Sequence, residues 1–358
     1  MARIWESVKI KRNNGETVEG KAPIIISASR STDIPAFYSK WLTCRLKKGY
    51  AVWNNPFNGR PVYISFAKAR LFVFWTKNPK PMMPYLKALD DKNINYYFQY
   101  TLNDYETEGF EPNLPGLTER INTFKALSKR VGKERVIWRF DPLIITPRLR
   151  PRELLAKIWH LGKALKCRTD KLVVSFVDVK AYKKVQNNMV RELGYFSRES
   201  VFSAEPRKNQ IEEIAEGLFK IKKAWQKEGW HLKIATCGEA MDLSAYGIDK
   251  NKCIDDELII QEFHHDKKLM NFVKYGKTGT SKPVQQELQF FPHGDASDAT
   301  RKDMKDKGQR TACGCIYSKD IGQYNTCRHF CVYCYANTSR KAVEHNSEKH
   351  SIHSESIF

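Results

Sequence analysis

The chain has 358 residues, and a composition of 41% hydrophobic and 28% charged residues is typical of a folded globular protein and excludes general disorder. Its mean hydropathy is −0.57 and its apolar runs, such as 71–75, are far shorter than the roughly 20 residues that cross a bilayer, which excludes a transmembrane helix and a membrane partner. The 61 Lys and Arg residues exceed the 40 Asp and Glu residues, so the formal charge of +21 predicts a phosphate-bearing substrate or nucleic acid as a partner. Lysines spread over solvated helix surfaces would give the same charge.

Short runs of β-branched and aromatic residues alternate with amphipathic segments from residue 24 to residue 275, which is the pattern of βα units around a parallel sheet. The predicted strands are IIISAS at 24–29, YAVW at 50–53, LFVFWT at 71–76, YYFQYTL at 96–102, VIWRF at 136–140, LVVSFV at 172–177 and LKIATC at 232–237. The predicted helices are 36–48, 80–92, 117–131, 152–166 and 209–228. This pattern favours an α/β fold, a full or partial (β/α) barrel, with a hairpin insertion around 50–66.

The chain divides into four predicted segments. Residues 1–275 form the barrel-like domain, and residues 276–312, rich in Gly, Ser, Thr, Asp and Lys, form a connecting loop. Residues 313–337 form a cysteine-rich, cluster-binding segment packed on the barrel. Residues 338–358 lack apolar periodicity and form a disordered tail.

Nine cysteines are unevenly placed along the chain, and five of them lie between residues 313 and 334. The first residues lack the apolar core of a secretory signal, which predicts a cytoplasmic protein. Because cytosolic reductants keep thiols reduced, a disulfide framework is not expected. His264, His265 and His329 are interpreted as ordinary surface or second-shell residues rather than metal ligands.

The strongest local motif is CRHFCVYC, which places Cys327, Cys331 and Cys334 in C-x3-C-x2-C spacing with Tyr333 before the third cysteine. Three soft thiolate ligands within eight residues are expected to share one metal site. Zinc ribbons use two C-x2-C pairs, whereas a loop with three cysteines can hold three irons of a [4Fe–4S] cluster and leave the fourth iron open.

The extended string YNTCRHFCVYCYAN at 324–337 resembles the cluster loop of radical S-adenosylmethionine (radical SAM) enzymes. Other strings are similar to an uncharacterised family, a domain of unknown function whose members end in a radical-SAM-like cysteine cluster: SASRSTDIPAFY at 27–38, FWTKNP at 74–79, WRFDP at 138–142 and DLSAYGI at 242–248. The resemblance implies that the three cysteines bind a [4Fe–4S] cluster and that Tyr333 lies against the adenine of SAM. It also implies a 5′-deoxyadenosyl radical that abstracts a substrate hydrogen, and an electron donor such as a flavodoxin or ferredoxin.

The resemblance departs from radical SAM enzymes in the position of the cysteine loop. In those enzymes the loop follows the first strand, whereas here it follows the barrel-like region, so we expect a circularly permuted or appended arrangement in which the loop folds back over the sheet. Cys237-Gly238-Glu239 partly matches the glycine-rich methionine-binding motif of the superfamily. Glu239 is therefore a second cofactor-binding candidate.

Four further cysteines, Cys237, Cys253, Cys313 and Cys315, equal the number needed to close a tetrahedral zinc site or a fully ligated [4Fe–4S] cluster. One hypothesis is that they hold a second metal centre, since Gly314 lets the backbone bend between two ligands. The alternative is that Cys237 and Cys253 are buried apolar thiols.

Polar side chains follow several predicted strands, where the reactive groups of a (β/α) barrel gather. The candidate catalytic residues among them are Arg30, Asp33, Lys77, Arg139 and Asp141. Arginines and lysines at such positions could bind a carboxylate or a phosphate. In the alternative reading Asp33 caps a helix, and Arg139 and Asp141 neutralise each other.

The sequence thus predicts an iron–sulfur protein, with a radical SAM-like enzyme of unknown substrate as the first reading. One alternative is a [4Fe–4S] protein that does not use SAM. The other is a zinc-stabilised nucleic-acid-binding protein, which the charge and the aromatic residues Phe330, Tyr333 and Tyr335 among the cysteines would suit.

Overall fold

The protein is built on two β-sheets with helices packed against them, and the computed structural model describes residues 4–276, 278 and 303–358. Their strands are β1 (Glu6–Lys11), β2 (Thr17–Ala22), β3 (Ile25–Ser27), β4 (Tyr50–Asn54), β5 (Pro61–Ser65), β6 (Leu71–Thr76), β7 (Asn95–Thr101), β8 (Val136–Leu143), β9 (Lys171–Phe176), β10 (Lys233–Thr236), β11 (Ile248–Lys250) and β12 (Lys319–Asp320). Their α-helices are α1 (Ile34–Phe37), α2 (Ser39–Lys48), α3 (Lys87–Asp90), α4 (Leu117–Val131), α5 (Pro151–Leu165), α6 (Lys183–Leu193), α7 (Lys208–Lys227), α8 (Asp256–Phe263), α9 (Lys267–Tyr275) and α10 (Arg340–Glu348).

The larger sheet has eight strands in the order β11-β10-β9-β8-β7-β6-β3-β12, and every neighbouring pair is parallel. Parallel strands all end at the same edge, so the loops that follow them meet there. Within the described residues the end strands β11 and β12 do not pair with each other. The predicted α/β fold with a parallel sheet is confirmed, whereas closure into a barrel is not.

The strands of this sheet are apolar on consecutive residues because both faces are covered. On β6, Phe72 and Phe74 belong to the main core, and Phe74 stacks on Phe98 of β7 with 5.0 Å between ring centroids. The alternate residue Val73 faces a second core, to which Ile259 of α8 and Phe272 of α9 contribute. Helices α8 and α9 therefore cover the face of the sheet that would line the interior of a closed barrel.

A smaller sheet precedes and interrupts the βα pattern, with strand order β1-β2-β5-β4. Strands β4 and β5 pair antiparallel from Tyr50 with Ser65 to Asn54 with Pro61, which confirms the predicted hairpin around 50–66. The pair β1 and β2 was not predicted, although Val8 and Ile10 of β1 alternate with lysines in the pattern of a half-exposed strand. Among the described helices, none combines the length and the apolar character that a bilayer span requires.

The C-terminal tail differs from its prediction. Residues 338–358 were expected to be disordered, but they form α10 and then pack on the smaller sheet, where the Val52 N–H donates to the Glu355 carbonyl at 2.7 Å. The Trp41 Nε1–H donates to the Ser354 carbonyl at 2.9 Å, and Ile357 is buried. A few isolated contacts, rather than a periodic apolar face, hold this segment. Most of the predicted connecting loop, residues 279–302, lies outside the described residues.

Candidate metal centre

The cysteine loop begins directly after β12, the strand at one end of the larger sheet. Strand β12 pairs with β3 through Lys319 with Ile26 and Asp320 with Ser27, and the Ile321 N–H then donates to the Ser27 carbonyl at 3.1 Å. Asp320 caps the junction by accepting the backbone N–H of Arg30 at 2.9 Å. These contacts place the loop over the carboxyl ends of the strands.

Gly322 allows the loop to approach β3 closely. A Cβ atom at this position would lie 1.9 Å from Oγ of Ser29 and 2.9 Å from Oγ of Ser31. These distances are shorter than van der Waals contact, so a side chain here would push the two loops apart. The sequence signal for this docking point was only the glycine itself.

Cys327, Cys331 and Cys334 lie in one loop whose backbone is held from both sides. The Tyr38 hydroxyl donates to the Thr326 carbonyl at 2.7 Å, and Nδ2 of Asn337 donates to the Cys327 carbonyl at 2.7 Å. Residue Cys331 is buried, and the other two thiols are partly covered.

Burial raises the pKa of all three loop thiols, that of Cys327 to about 12, where the Asp33 carboxylate adds to the effect. A free nucleophilic cysteine requires a lowered pKa, so this environment does not suit a reactive thiol. A bound cation stabilises thiolates and reverses the shift. The free loop thiols are thus poorly suited to nucleophilic catalysis.

Lys77, at the end of β6, connects the sheet to Tyr333 of the loop. Its Nζ donates to Oε1 of Glu111 at 2.7 Å and to the Tyr333 hydroxyl at 2.8 Å, and it lies 5.4 Å from the centroid of the Tyr333 ring. The Tyr333 hydroxyl also donates to Glu111, and Nδ2 of Asn103 donates to Oε1 of Glu111 at 3.0 Å. Tyr333 is therefore fixed by a buried ion pair.

Asp33 ties the loop after β3 to the cysteine loop. Its Oδ1 accepts the Ala36 N–H at 2.9 Å, which makes it the N-cap of α1, as the alternative reading of the sequence proposed. Its Oδ2 accepts the Lys77 N–H at 2.7 Å and Nε2 of His329 at 2.8 Å. Of the two interpretations of His329, surface or second-shell residue, its burial against Asp33 excludes the first and is compatible with the second.

Arg139 and Asp141, at the end of β8, form a buried ion pair in which Nε of Arg139 donates to Oδ2 of Asp141 at 2.9 Å. This is the mutual neutralisation that the sequence offered as an alternative. The Arg139 guanidinium lowers the pKa of Asp141 against the opposing effect of burial, and the Ser175 hydroxyl donates to the same carboxylate. The remaining Nη1 of Arg139 donates to Oε1 of Gln99 at 3.2 Å.

The other two candidates lie at the same edge. The Arg30 guanidinium stacks over Trp75, 5.2 Å from a ring centroid, and the nearby Cys315 and Asp320 raise its pKa against desolvation. Glu239 accepts the Phe176 N–H at 2.9 Å, and burial raises its pKa to about 7. The five candidate catalytic residues and both cofactor-binding candidates thus lie at the carboxyl edge of the sheet.

The four remaining clustered cysteines also come together. Sγ of Cys237, after β10, lies 3.3 Å from Sγ of Cys253, and the Cys315 thiol interacts with those of Cys253 and Cys313. Within the part of the chain that the structure describes, no group of three or more His, Cys, Asp or Glu side chains has the geometry of a formed metal site. The remaining two cysteines, Cys44 and Cys167, lie in or after helices, away from both sets.

Several buried polar atoms around the cysteine loop have no hydrogen-bond partner among the described residues. They are Nη2 of Arg30, Oγ1 of Thr32, Oε2 of Glu111, both amide atoms of Gln323 and Oδ1 of Asn337. Unpaired buried polar groups are costly, so their number here indicates a polar ligand or ordered water. The sequence did not predict Glu111, Gln323 or Asn337 as site residues, since no motif distinguishes them from ordinary polar residues.

A cavity of about 130 Å³ opens from the surface onto the cysteine loop. It is lined by Cys331 and Asn337 of the loop region, and its rim carries Arg191 of α6 and Arg340 of α10. The Arg340 guanidinium stacks over Phe330, 4.5 Å from the ring centroid. The cavity gives a small solute or a protein surface access to one side of the loop.

Comparison with known proteins identifies a family but no activity. A family model described as "Domain of unknown function (DUF1848)" matches residues 25–336. No curated protein matches the chain. One solved structure, a dihydropyrimidinase from Brevibacillus agri NCHU1002, is similar over 58% of this chain and 44% of its own length, with 11% identity and a TM-score of 0.23. The chain therefore spans less than half of that structure, and so weak a similarity carries no argument.

Proposed function

This chain belongs to the DUF1848 family, a domain of unknown function, so we infer its function from its own residues. We propose that it is an iron–sulfur enzyme of the radical SAM type. Cys327, Cys331 and Cys334 are the proposed ligands of a [4Fe–4S] cluster. S-adenosylmethionine is the proposed co-substrate.

The position of the cysteine loop carries this proposal. The loop follows β12, which takes the edge position beside β3 and runs parallel to it, although β12 comes last in the chain. By the resemblance, a radical SAM cluster loop follows the first strand of the sheet, and β12 lies beside β3, the first strand of the larger sheet in chain order, so the arrangement supports a permuted order of the same parts.

The donor set fits such a cluster. Three thiols from one loop are the ligands that three irons of a [4Fe–4S] cluster require, and the C-x3-C-x2-C motif supplies no fourth. The unpaired polar atoms of Thr32, Gln323 and Asn337 lie buried beside the loop, where amino, carboxylate or ribose groups of SAM would satisfy them. An entirely apolar surrounding would not fit this co-substrate.

When bound, a [4Fe–4S] cluster with an open iron supplies the electron that cleaves SAM into methionine and a 5′-deoxyadenosyl radical. The residues of this chain would bind and orient the cluster and SAM. Lys77 places a cation beside Cys331 and so favours the thiolate form of that ligand. Glu111 and Asn103 hold the Tyr333 hydroxyl, which fixes the plane of a ring that would lie against adenine.

Two partners follow from the proposal. A low-potential electron donor such as a flavodoxin or ferredoxin would dock at the cavity that reaches Cys331, because the rim arginines Arg191 and Arg340 complement an acidic surface. The substrate is proposed to bear phosphate, in keeping with the formal charge of +21.

The test is anaerobic purification and reconstitution of the full chain, followed by EPR of the reduced protein with and without SAM. We expect a [4Fe–4S] signal that changes when SAM is added, together with 5′-deoxyadenosine. Cys331→Ala should lose both while retaining the helical circular dichroism of the α/β domain. Cys167→Ala, which changes an exposed cysteine outside the loop, should lose neither.

Other results would replace the proposal. A cluster whose signal ignores SAM would identify a [4Fe–4S] protein that does not use SAM. A colourless protein that contains zinc at the loop and no iron would favour the zinc-stabilised nucleic-acid-binding protein. Loss of all folded protein in Cys331→Ala would show that the loop metal is structural.

A further inference from the structure

The four cysteines outside the loop come from three separate parts of the chain. Cys237 follows β10, Cys253 lies between β11 and α8, and Cys313 and Cys315 precede β12. The Cys237 and Cys253 sulfurs lie 3.3 Å apart, and Cys315 bridges Cys253 and Cys313. Thiols that only packed in an apolar core would not be expected to come together from three segments of the chain.

Four N–H groups point at two of these sulfurs. The backbone N–H groups of Cys253 and Ile254 donate to Sγ of Cys315 at 3.2 and 3.4 Å. Nη1 of Arg139 and Nδ2 of Asn251 donate to Sγ of Cys253 at 3.1 and 3.4 Å. A neutral thiol is a weak acceptor, whereas a metal-bound thiolate accepts such bonds strongly. The same donors would stabilise metal-bound thiolates at this buried position.

Buried thiolates need a counter-charge. Cys253 and Cys315 are 5% and 2% exposed, and the guanidinium groups of Arg30 and Arg139 are among the neighbouring cations. Arg139 already pairs with Asp141, so most of its charge is neutralised. A divalent cation among the sulfurs would supply the missing positive charge.

We propose that Cys237, Cys253, Cys313 and Cys315 bind one zinc ion in a closed tetrahedral site, separate from the loop centre. Zn–S bonds of about 2.3 Å in a tetrahedron place sulfurs about 3.8 Å apart. The 3.3 Å between the Cys237 and Cys253 sulfurs is close to that spacing. Binding of an ion by all four sulfurs would require Cys313 and Cys315 to close around it. A four-iron cube would have to hold its cysteine sulfurs much farther apart.

This zinc would fasten the start of the C-terminal segment to the carboxyl edge of the sheet. The Ile316 N–H already donates to the Ile254 carbonyl at 3.2 Å, and the segment continues from there into β12. The ion would thus fix the entry of the chain into the cysteine loop without touching the loop itself. Its role is structural, because four protein ligands leave no open position for a substrate.

The test is metal analysis of the full chain purified anaerobically. We expect one zinc per chain in addition to loop iron. Cys253→Ser and Cys315→Ser should lose the zinc, whereas Cys331→Ala should lose iron but keep zinc, and Cys167→Ser should keep both. Replacement of zinc by Co²⁺ should give the intense thiolate-to-cobalt absorption of a four-sulfur site. In a cysteine variant that still binds Co²⁺, this absorption should be weaker because one sulfur ligand is missing.

Three results would overturn this inference. Zinc that persists in both Cys253→Ser and Cys315→Ser would place the ion elsewhere. More than four irons per chain, with the excess lost in Cys253→Ser, would show an iron–sulfur cluster instead of zinc. A Cys237–Cys253 disulfide in the anaerobically purified protein, found by mass spectrometry of alkylated peptides, would remove two ligands. Because the loop variant Cys331→Ala reports on iron alone, failure of the zinc site and failure of the proposed function are distinguishable.

Discussion

Nε2 of His329 lies 2.8 Å from Oδ2 of Asp33, and this buried contact joins the cysteine loop to the loop that follows β3. The same carboxylate caps α1 through Ala36 and accepts the Lys77 N–H. One side chain therefore connects a helix start, the end of a neighbouring strand and the candidate metal loop.

We expect His329→Ala to weaken the loop, because a buried carboxylate oxygen loses one of its two donors. The free energy of unfolding should fall by about 1–3 kcal/mol. Iron content after reconstitution should fall in parallel, and urea unfolding with iron analysis measures both. His264→Ala removes an exposed imidazole with only a local contact and should change neither. A His329→Ala protein that retained full stability and iron would show that the contact is incidental.

Lys77→Met should be strongly destabilising because it leaves the buried Glu111 carboxylate without its closest cation. Breaking one partner of a buried ion pair typically costs about 3–5 kcal/mol. The pair Lys80–Glu119 has the same N–O separation of 2.7 Å but is exposed, so Lys80→Met should cost less than about 1 kcal/mol. Chemical denaturation of both variants gives the comparison.

The double variant Lys77→Met/Glu111→Gln separates charge from packing at this pair. If the cost of Lys77→Met comes from the unpaired carboxylate, the second substitution should restore most of the stability. An additive loss in the double variant would mean that Lys77 acts by packing alone.

Gly322→Ala should separate the cysteine loop from β3, since its Cβ would lie 1.9 Å from Oγ and 2.4 Å from Cβ of Ser29. We expect a lower melting temperature and poor iron retention, with partial recovery in Gly322→Ala/Ser29→Gly. At Gly116 a Cβ would meet nothing nearer than 3.9 Å, and Gly116→Ala is the matched control. Equal melting temperatures for the two alanine variants would contradict the close approach.

Lys319 gives the protein a dependence of stability on alkaline pH. Burial lowers the pKa of its ammonium group to about 8 from 10.5, and its Nζ lies 3.5 Å from the centroid of the Trp53 ring. Between these two values the unfolded chain binds the proton and the folded chain releases it. The contribution of Lys319 to stability should therefore be unfavourable below pH 8 and recover as the pH rises to 10.5.

Lys319→Met should remove this dependence. The difference in unfolding free energy between the variant and the parent should shrink by up to about 3 kcal/mol from pH 7.5 to pH 10. Urea titrations at several pH values measure it, and Lys47→Met, on the exposed face of α2, serves as the control. A constant difference across the range would show that the ammonium group is solvated.

Sequence periodicity predicted those parts of the fold that repeat. The strand LFVFWT was expected at 71–76 and the helix at 117–131, and both have these bounds, because each carries a long apolar pattern of one period. Helices α8 and α9 were not predicted, although they cover one face of the sheet, since their apolar positions come in two short runs. The barrel interpretation did not include this layer of helices.

The candidate site was predictable where its residues belong to a rare type. Cysteine is scarce enough that removing the loop and helical cysteines left four, Cys237, Cys253, Cys313 and Cys315, and the fold then brings these together. Glu111 and Gln323 were not predictable, because polar residues of these types are common in loops and only tertiary contacts distinguish them. Their identification required the fold.

The pairing of β12 with β3 sets an order of events during synthesis. Lys319 meets Ile26 across almost the entire length of the chain. Strand β3 therefore keeps one side unpaired until β12 has been synthesised. The cysteine loop follows β12 directly, so its docking on β3 depends on a pairing between two strands that lie far apart in the sequence.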